Sequence, residues 1–275
     1  MVPFGKILAR AWHYSLNWKR VAPFFLLLVP FVVLFAAFID SAVSLLGKYG
    51  LASAAGMPPL EFMAGLSLFF LLLIAVTAFV FLADLYVRGV LIENARSWYL
   101  GKRVSFRRSR PAVKGRYLSL LAAVIIVKLI SSGLGIIPAV GVILSIIVTL
   151  VFLVVLQSIV VSRKGVFDSL RDSYDIFMRR KLETFAFWLV TSLISMAFFV
   201  IAITPLIIAA WPVFATYLSS VSLGASAVPL MLTSIKSSLP QIFAAGLVSA
   251  FILGFIQVFR ESATTFFYLE AKKRK

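Results

Sequence analysis

Apolar runs recur six times along the chain, separated by short stretches in which basic and polar residues gather. The runs cover about Ala22 to Leu46, Phe62 to Val87, Tyr117 to Leu134, Ala139 to Val161, Phe185 to Ala209 and Gln241 to Val258. Each is close to the ~20 residues that a helix needs to cross a hydrocarbon core. The pattern therefore predicts an all-α integral membrane protein with six transmembrane helices. Between the runs, Gly47 to Leu60 reads as a loop, and Gly133, Gly135 and Pro138 form a short turn that closes a tight hairpin. Trp211 to Pro240 reads as the one long outer loop. It is itself largely apolar, with Leu218, Val221, Leu223 and Leu230, so it is expected to lie on the outer interface as short helices.

The stretches before each pair of runs share a second pattern. Phe4, Leu8, Trp12 and Leu16 recur at helical spacing, as do Val166, Phe167, Leu170, Tyr174, Phe177 and Met178. A shorter version begins at Phe106 and is interrupted by Pro111. The expected architecture is three hairpins, each preceded by a basic amphipathic cytoplasmic helix. They form a single membrane domain over 1–275, in units of roughly 1–87, 88–161 and 162–275.

Charge gives this architecture an orientation. Of the 27 Lys and Arg residues, 24 lie in four segments, 1–22, 85–117, 162–182 and 260–275; only Lys48, Lys128 and Lys236 fall elsewhere. Basic residues near span ends stay on the cytoplasmic side, so both termini are expected in the cytoplasm of a multi-pass cell-membrane protein. Composition agrees with a bilayer as solvent: 62% of residues are apolar and mean hydropathy is +1.05. A net charge of +17 in a soluble chain would point to nucleic acid. Here the charge adjoins apolar runs, so anionic lipid head groups are the expected counter-charge, and nucleic acid is not. The first 20 residues are too polar, and the following run too long, for a cleaved signal.

The segments GVFDSLRDSYDIFMRRKLETFAFWL (Gly165 to Leu189) and LGKRVSFRRSRPAVKGRYLSLL (Leu100 to Leu121) carry a resemblance. The chain resembles a broad group of archaeal and bacterial six-span membrane proteins, which includes the membrane domain found beside glycerophosphoryl diester phosphodiesterases. The likeness lies in patterns of residue type over most of the chain, so it brings no functional residue with it. It implies a membrane module of unknown function, and no stretch outside the spans is long enough to hold the phosphodiesterase domain itself.

Candidate chemistry is sparse. The chain has no Cys and one His, His13, which lies between Trp12 and Tyr14 and reads as interfacial. A zinc hydrolase needs clustered ligands, and a serine hydrolase needs a His and a sharp Gly-x-Ser-x-Gly turn, which Gly224 to Val228 does not complete. Nucleotide-binding glycine loops are missing. Arg103, Arg110 and Pro111 are similar to the basic opening motif of membrane lipid phosphatases, but those enzymes use two His residues. No enzyme activity, metal or cofactor is expected. Arg103, Arg107, Arg108, Arg110, Lys114 and Arg116 read instead as a contact for anionic head groups, since a guanidinium matches phosphate geometry.

Lys128 stands alone in the third run, about eleven residues in, and an intramembrane cation is a functional candidate. Asp40, Glu61 and Asp84 read as interfacial, so no acid is expected at its depth. It either snorkels outward or faces an aqueous or anionic path. Gly246, Ala250 and Gly254 form a small-residue stripe for close helix packing. The favoured function is a non-enzymatic module that binds lipid head groups and a protein partner, or a second copy, through its basic face. The alternative is a transporter or channel for an anionic or amphiphilic solute. A clustering of Lys128, Ser145, Thr149, Gln157, Thr191, Ser195 and Gln257 around one cavity would favour transport; scattering among helix contacts would favour the module.

Overall fold

A computed structural model of the chain describes residues 3–49, 60–102, 104–135, 137, 140–220 and 228–273. The regular elements among these residues are all α-helices: α1 (Phe4–Ser15), α2 (Trp18–Tyr49), α3 (Leu60–Tyr99), α4 (Phe106–Lys114), α5 (Tyr117–Gly135), α6 (Val140–Val151), α7 (Val155–Val161), α8 (Val166–Arg179), α9 (Lys181–Ser220) and α10 (Val228–Lys273). Six helices, with α6 and α7 taken together as one, are long and apolar enough to cross a membrane. Their apolar side chains stay largely outside the protein core. Ile74 is 70% exposed and Met196 66%, a surface that only hydrocarbon would cover without penalty. The chain is a multi-pass membrane protein.

Three spans run on as helix well past the apolar runs that marked them. α3 continues through Val90, Leu91, Ile92 and Ala95, which are buried, and α10 continues through Ala263, Phe266, Phe267, Tyr268 and Ala271. The expected outer loop at Trp211 to Pro240 is a correction of the same kind. Most of it belongs to α9 and α10, with Pro205, Pro212 and Pro240 inside the helices. Two hydroxyls bond back one turn onto proline carbonyls: Thr216 donates to Pro212 O at 2.8 Å, and Thr233 to Pro229 O at 2.8 Å. Proline is tolerated inside membrane helices, so it does not mark loop ends there. Arg103, Pro138, the stretches 50–59 and 221–227, and the side chains of Lys48 and Glu61 lie outside the described residues.

The chain divides into two compact units, each discontinuous in sequence. One comprises residues 1–24, 82–197 and 255–275; the other comprises 25–81 and 198–254. In the first unit the core forms where the extensions of α3 and α10 meet α1, α5, α7 and α9. Phe187 stacks on Phe267 with ring centroids 4.5 Å apart, and Tyr14 packs edge-on against Trp98 and Phe266. The α5–α6 turn is tight: a Cβ on Gly141 would run into the carbonyl oxygen of Leu134.

The fourth span is broken, which its sequence did not announce. At residues 152–154, between α6 and α7, the regular helical bonding gives way to tighter turns: Leu153 N donates to Leu150 O at 3.4 Å and Val155 N to Phe152 O at 3.3 Å. Ser173 of α8 spans the gap: its hydroxyl donates to Val151 O at 2.7 Å and accepts from Val154 N at 3.4 Å. A break in a membrane helix needs such outside partners, because hydrocarbon offers none.

The helices α1 and α8 leave part of their apolar stripes outside the protein. α1 buries Ile7, Ala11, Tyr14 and Ser15, and leaves Trp12 and Leu16 exposed. α8 buries Ser169, Asp172, Ser173 and Ile176, while Phe167 is 78% exposed. In α8 much of the polar side thus faces the protein, where Asp172 has partners on α7 and α10 and Ser173 meets the end of α6, and much of the apolar side faces out.

In the second unit α2 and α10 pass close to each other. Gly246, Ala250 and Gly254 are buried, and a Cβ on Gly246 would stand 2.8 Å from Val32 Cγ1. Phe38 stacks on Phe69 at 3.9 Å, and the Ser249 hydroxyl bonds to Ala202 O at 2.5 Å.

Candidate functional site: a charged cavity in the first unit

Helical spacing places the parts of this site. On α10, Gln257, Glu261 and Thr264 share one face, with Arg260 beside them; on α3, Asp84 and Arg88 are one turn apart. The extension of both helices brings these faces together. Arg88 Nε donates to Asp84 at 2.6 Å and its Nη1 to Glu261 Oε1 at 3.2 Å. The Gln257 side-chain amide, turned with its oxygen toward the guanidinium, accepts from Arg88 as well. Glu261 is 8% exposed, and its second oxygen accepts from Gln157 Nε2 of α7 at 3.4 Å. The carboxylate is held between a cation and an amide, as a buried charge must be.

This cluster forms one side of a cavity of about 290 Å³. Lys128 and Ser131 from α5, Thr149 from α6, Gln157 from α7, and Arg260, Glu261 and Thr264 from α10 line it together with Arg88. Its walls between them are apolar, from Val124, Val127, Phe152 and Leu156 among others. The α6–α7 break opens here, since Phe152, Leu153 and Val155 are all lining residues. Lys128 is exposed to this space, and among the described residues no carboxylate lies at ion-pair distance from Lys128 or Arg260. The cavity therefore presents Lys128, with no carboxylate at ion-pair distance, together with Arg260, whose charge acts on Glu261, beside an Arg88 that is already shared by acids. Its chemistry suits an anion, with apolar surface next to it.

A second polar cluster lies at the far side of α7. Asp172 of α8 accepts from Lys164 Nζ at 2.6 Å, Ser158 Oγ at 2.8 Å and the Tyr268 hydroxyl at 2.9 Å. Burial pushes its carboxyl up, but the hydrogen bonds and the charge of Lys164 outweigh this and hold it below the usual carboxylate range. Ser162 and Lys272 extend the network: Lys272 Nζ donates to Ser162 Oγ at 2.5 Å. Every oxygen of Asp172 is engaged, so the cluster ties α7, α8 and α10 together. On α1, the Tyr14 hydroxyl donates to Asn94 Oδ1 at 3.2 Å under the Arg20 guanidinium; burial raises the phenol, against the opposing charge of Arg20.

No known protein family, curated protein or solved structure matches this chain. Its function has to be argued from the geometry.

Of the residues singled out in the sequence, Lys128, Thr149 and Gln157 meet at the cavity, and Gln257 reaches it through Arg88. Ser145 is adjacent, bonded to Ser131 O at 3.0 Å, whereas Thr191 and Ser195 bond back along their own helix. Glu261 lines the same cavity as Lys128, but among the described residues no carboxylate lies at ion-pair distance from Lys128. Arg107, Arg108, Arg110 and Lys114 are exposed along α4, which buries Ser109 and Val113, and Arg116 is half-buried; none of them lines the cavity. His13 is exposed. Arg88, Arg260 and Glu261 were missed as site residues because they read as cytoplasmic flanks. The polar spacing of Gln257, Arg260, Glu261 and Thr264 within an otherwise apolar helix was the available signal. Among the described residues, no three His, Asp or Glu side chains gather in a way that would hold a metal ion.

Proposed function

We propose that this chain is a cell-membrane module, with both termini in the cytoplasm, that binds the anionic head group of an amphiphile and catalyses no reaction. The observation that carries the proposal is Lys128, a cation with no carboxylate at ion-pair distance among the described residues, on the wall of one partly apolar cavity that Arg260 also lines. A head group that carries negative charge offsets them, and the apolar walls accept the adjoining hydrocarbon. In the proposed orientation Arg88 and Arg260 belong to the cytoplasmic ends of their spans, where anionic lipid is plentiful. The exposed Arg107, Arg108, Arg110 and Lys114 serve the same chemistry at the surface, each contributing about 1 kcal/mol next to an anionic leaflet. The resemblance carried by Gly165 to Leu189 and Leu100 to Leu121 agrees with a module of this kind. A protein partner or a second copy on the basic face is part of the proposal.

Transport of an anionic or amphiphilic solute is the second reading. It is favoured by the meeting of Lys128, Thr149 and Gln157 at a break in the fourth span, an arrangement that suits a solute path. Native mass spectrometry of the gently extracted protein tests the first reading. Wild type is expected to retain anionic lipid and Lys128→Leu to lose most of it while remaining folded. Equal retention by both would overturn the cavity as the binding site. Flux of a fluorescent anionic lipid or organic anion through proteoliposomes, abolished by Lys128→Leu, would bring transport to the front.

A further inference from the structure

The side chains of α8 fall into three sectors around the helix. At about 100° per residue, Phe167, Leu170, Tyr174, Phe177 and Met178 occupy one sector, and Asp168, Arg171, Asp175 and Arg179 the next. Ser169, Asp172, Ser173 and Ile176 make the third, which is buried against the protein. The charged sector is exposed at all four positions. In the apolar sector Leu170 and Phe177 are half-buried, whereas Phe167, Tyr174 and Met178 are exposed. A helix at the edge of a protein in water needs one side for the core and one for solvent. A separate exposed apolar sector asks for a different medium.

That sector does not stop at the end of α8. Met178 and Leu182 line one hollow at the α8–α9 junction. From Leu182, which is 84% exposed, the exposed residues Phe185, Leu189, Leu193 and Met196 follow at helical spacing up one face of the fifth span. On a span, such a face is covered by lipid.

We infer that the apolar sector of α8 is a lipid-docked surface. The helix lies along the boundary of the leaflet, with Phe167, Tyr174 and Met178 among the upper acyl chains, its charged sector toward water and its third sector on the protein. Continuity selects the leaflet over a protein partner. A partner or a second copy would have to cover Met178 and end at Leu182, whereas the lipid that covers the fifth span already reaches that point. Charge agrees with the placement. Arg171 and Arg179, with the exposed Lys181 after them, flank the apolar sector at the level of lipid phosphates, and Tyr174 brings an aromatic body with a polar tip. Asp168 and Asp175 share the charged flank, so the helix belongs at the boundary and not deep in hydrocarbon. No residue of α8 lines the cavity that holds Lys128, and the inference does not depend on what that cavity binds. It does give the broken fourth span a support from outside. Lipid on the outer side of α8 keeps its inner side, with Ser173 and Asp172, against α6, α7 and α10.

The chain has no Cys, so one substitution carries one nitroxide label. Phe167→Cys, Tyr174→Cys and Met178→Cys, with Asp168→Cys and Asp175→Cys for comparison, are labelled in the full chain and placed in nanodiscs of phosphatidylcholine and phosphatidylglycerol. Electron paramagnetic resonance then reads collisions with oxygen, which concentrates in hydrocarbon, against collisions with a water-soluble nickel chelate. The first three labels are expected to favour oxygen and the last two the chelate. Preference for the chelate at 167, 174 and 178 would place the sector in water and overturn the inference. Immobilised labels there with little access to either reagent would place it under a protein partner or a second copy, which overturns it equally. Preference for oxygen at 168 and 175 as well would sink the whole helix in hydrocarbon and overturn its place at the boundary. All five positions are exposed, so the substitutions remove no core side chain. A variant that nonetheless fails to fold leaves the others to read the same two sectors.

Discussion

Arg88 and Glu261 are 173 positions apart, and their side chains meet at 3.2 Å. The pair joins the extension of α3 to that of α10 and sets one wall of the cavity. Glu261→Leu takes an acceptor from both Arg88 and Gln157, so it is expected to cost roughly 3 kcal/mol of stability. Thermal unfolding in a fixed detergent reads this directly. An unchanged midpoint would mean that Asp84 and Gln257 satisfy Arg88 on their own.

Asp172 gives the fold a defined response to acid. Its carboxyl is held below the usual range in the folded protein, so it contributes stability above its unfolded value of about 3.9 and loses that contribution as pH falls further, through the depressed folded value. Asp172→Asn is therefore expected to lose roughly 2 kcal/mol at pH 7, since three donors give up a charged acceptor. The gap to wild type should narrow below about pH 4. A gap of constant size from pH 7 down to the acid limit of stability would show that the charge of Asp172 is not what the network uses.

At Gly246 α2 and α10 pass close to each other in their unit. Gly246→Val should cost about 1–3 kcal/mol through overlap with Val32, and Val32→Ala on that background should return part of the loss. Failure of the second substitution to rescue the first would place the strain elsewhere.

The α4 segment carries a prediction about lipid rather than stability. Replacing Arg107, Arg108 and Arg110 with Gln removes three exposed charges and should weaken retention of anionic lipid by the full chain by about 1 kcal/mol per residue. Raising salt should weaken wild type in the same direction. Salt-independent retention that is the same in the variant would reject the segment as a lipid contact.

Local pattern and tertiary meeting divide what could be read from the chain. Apolar length marked all six spans, because the membrane requirement is local and strong. The helical ends were misjudged where Pro212 and Pro240 looked like punctuation, a rule that holds in water and weakens in hydrocarbon. Lys128 stood out because a lone cation in an apolar run is conspicuous. Arg260 and Glu261 did not, since near a span end they look like ordinary flanking charge. Nothing local says that a helix continues inward from the flank and turns Glu261 toward Gln157, a residue 104 positions away. The turned face of α8 was hidden for a similar reason: its buried side is polar, and only the partners Ser158 and Tyr268 make that burial favourable.

The hydroxyl of Ser173 closes a gap in a span to which it does not belong. That arrangement imposes an order on biogenesis. While α6 and α7 are leaving the insertion machinery, the carbonyl of Val151 and the amide of Val154 have no partner in their own segment, and the residue that will supply one has yet to emerge. The fourth span is thus expected to stay in a protein-lined or hydrated setting until α8 emerges, and to be released into lipid only afterwards. A chain truncated after Val161 should be held back at insertion, and one that extends past Arg179 should pass.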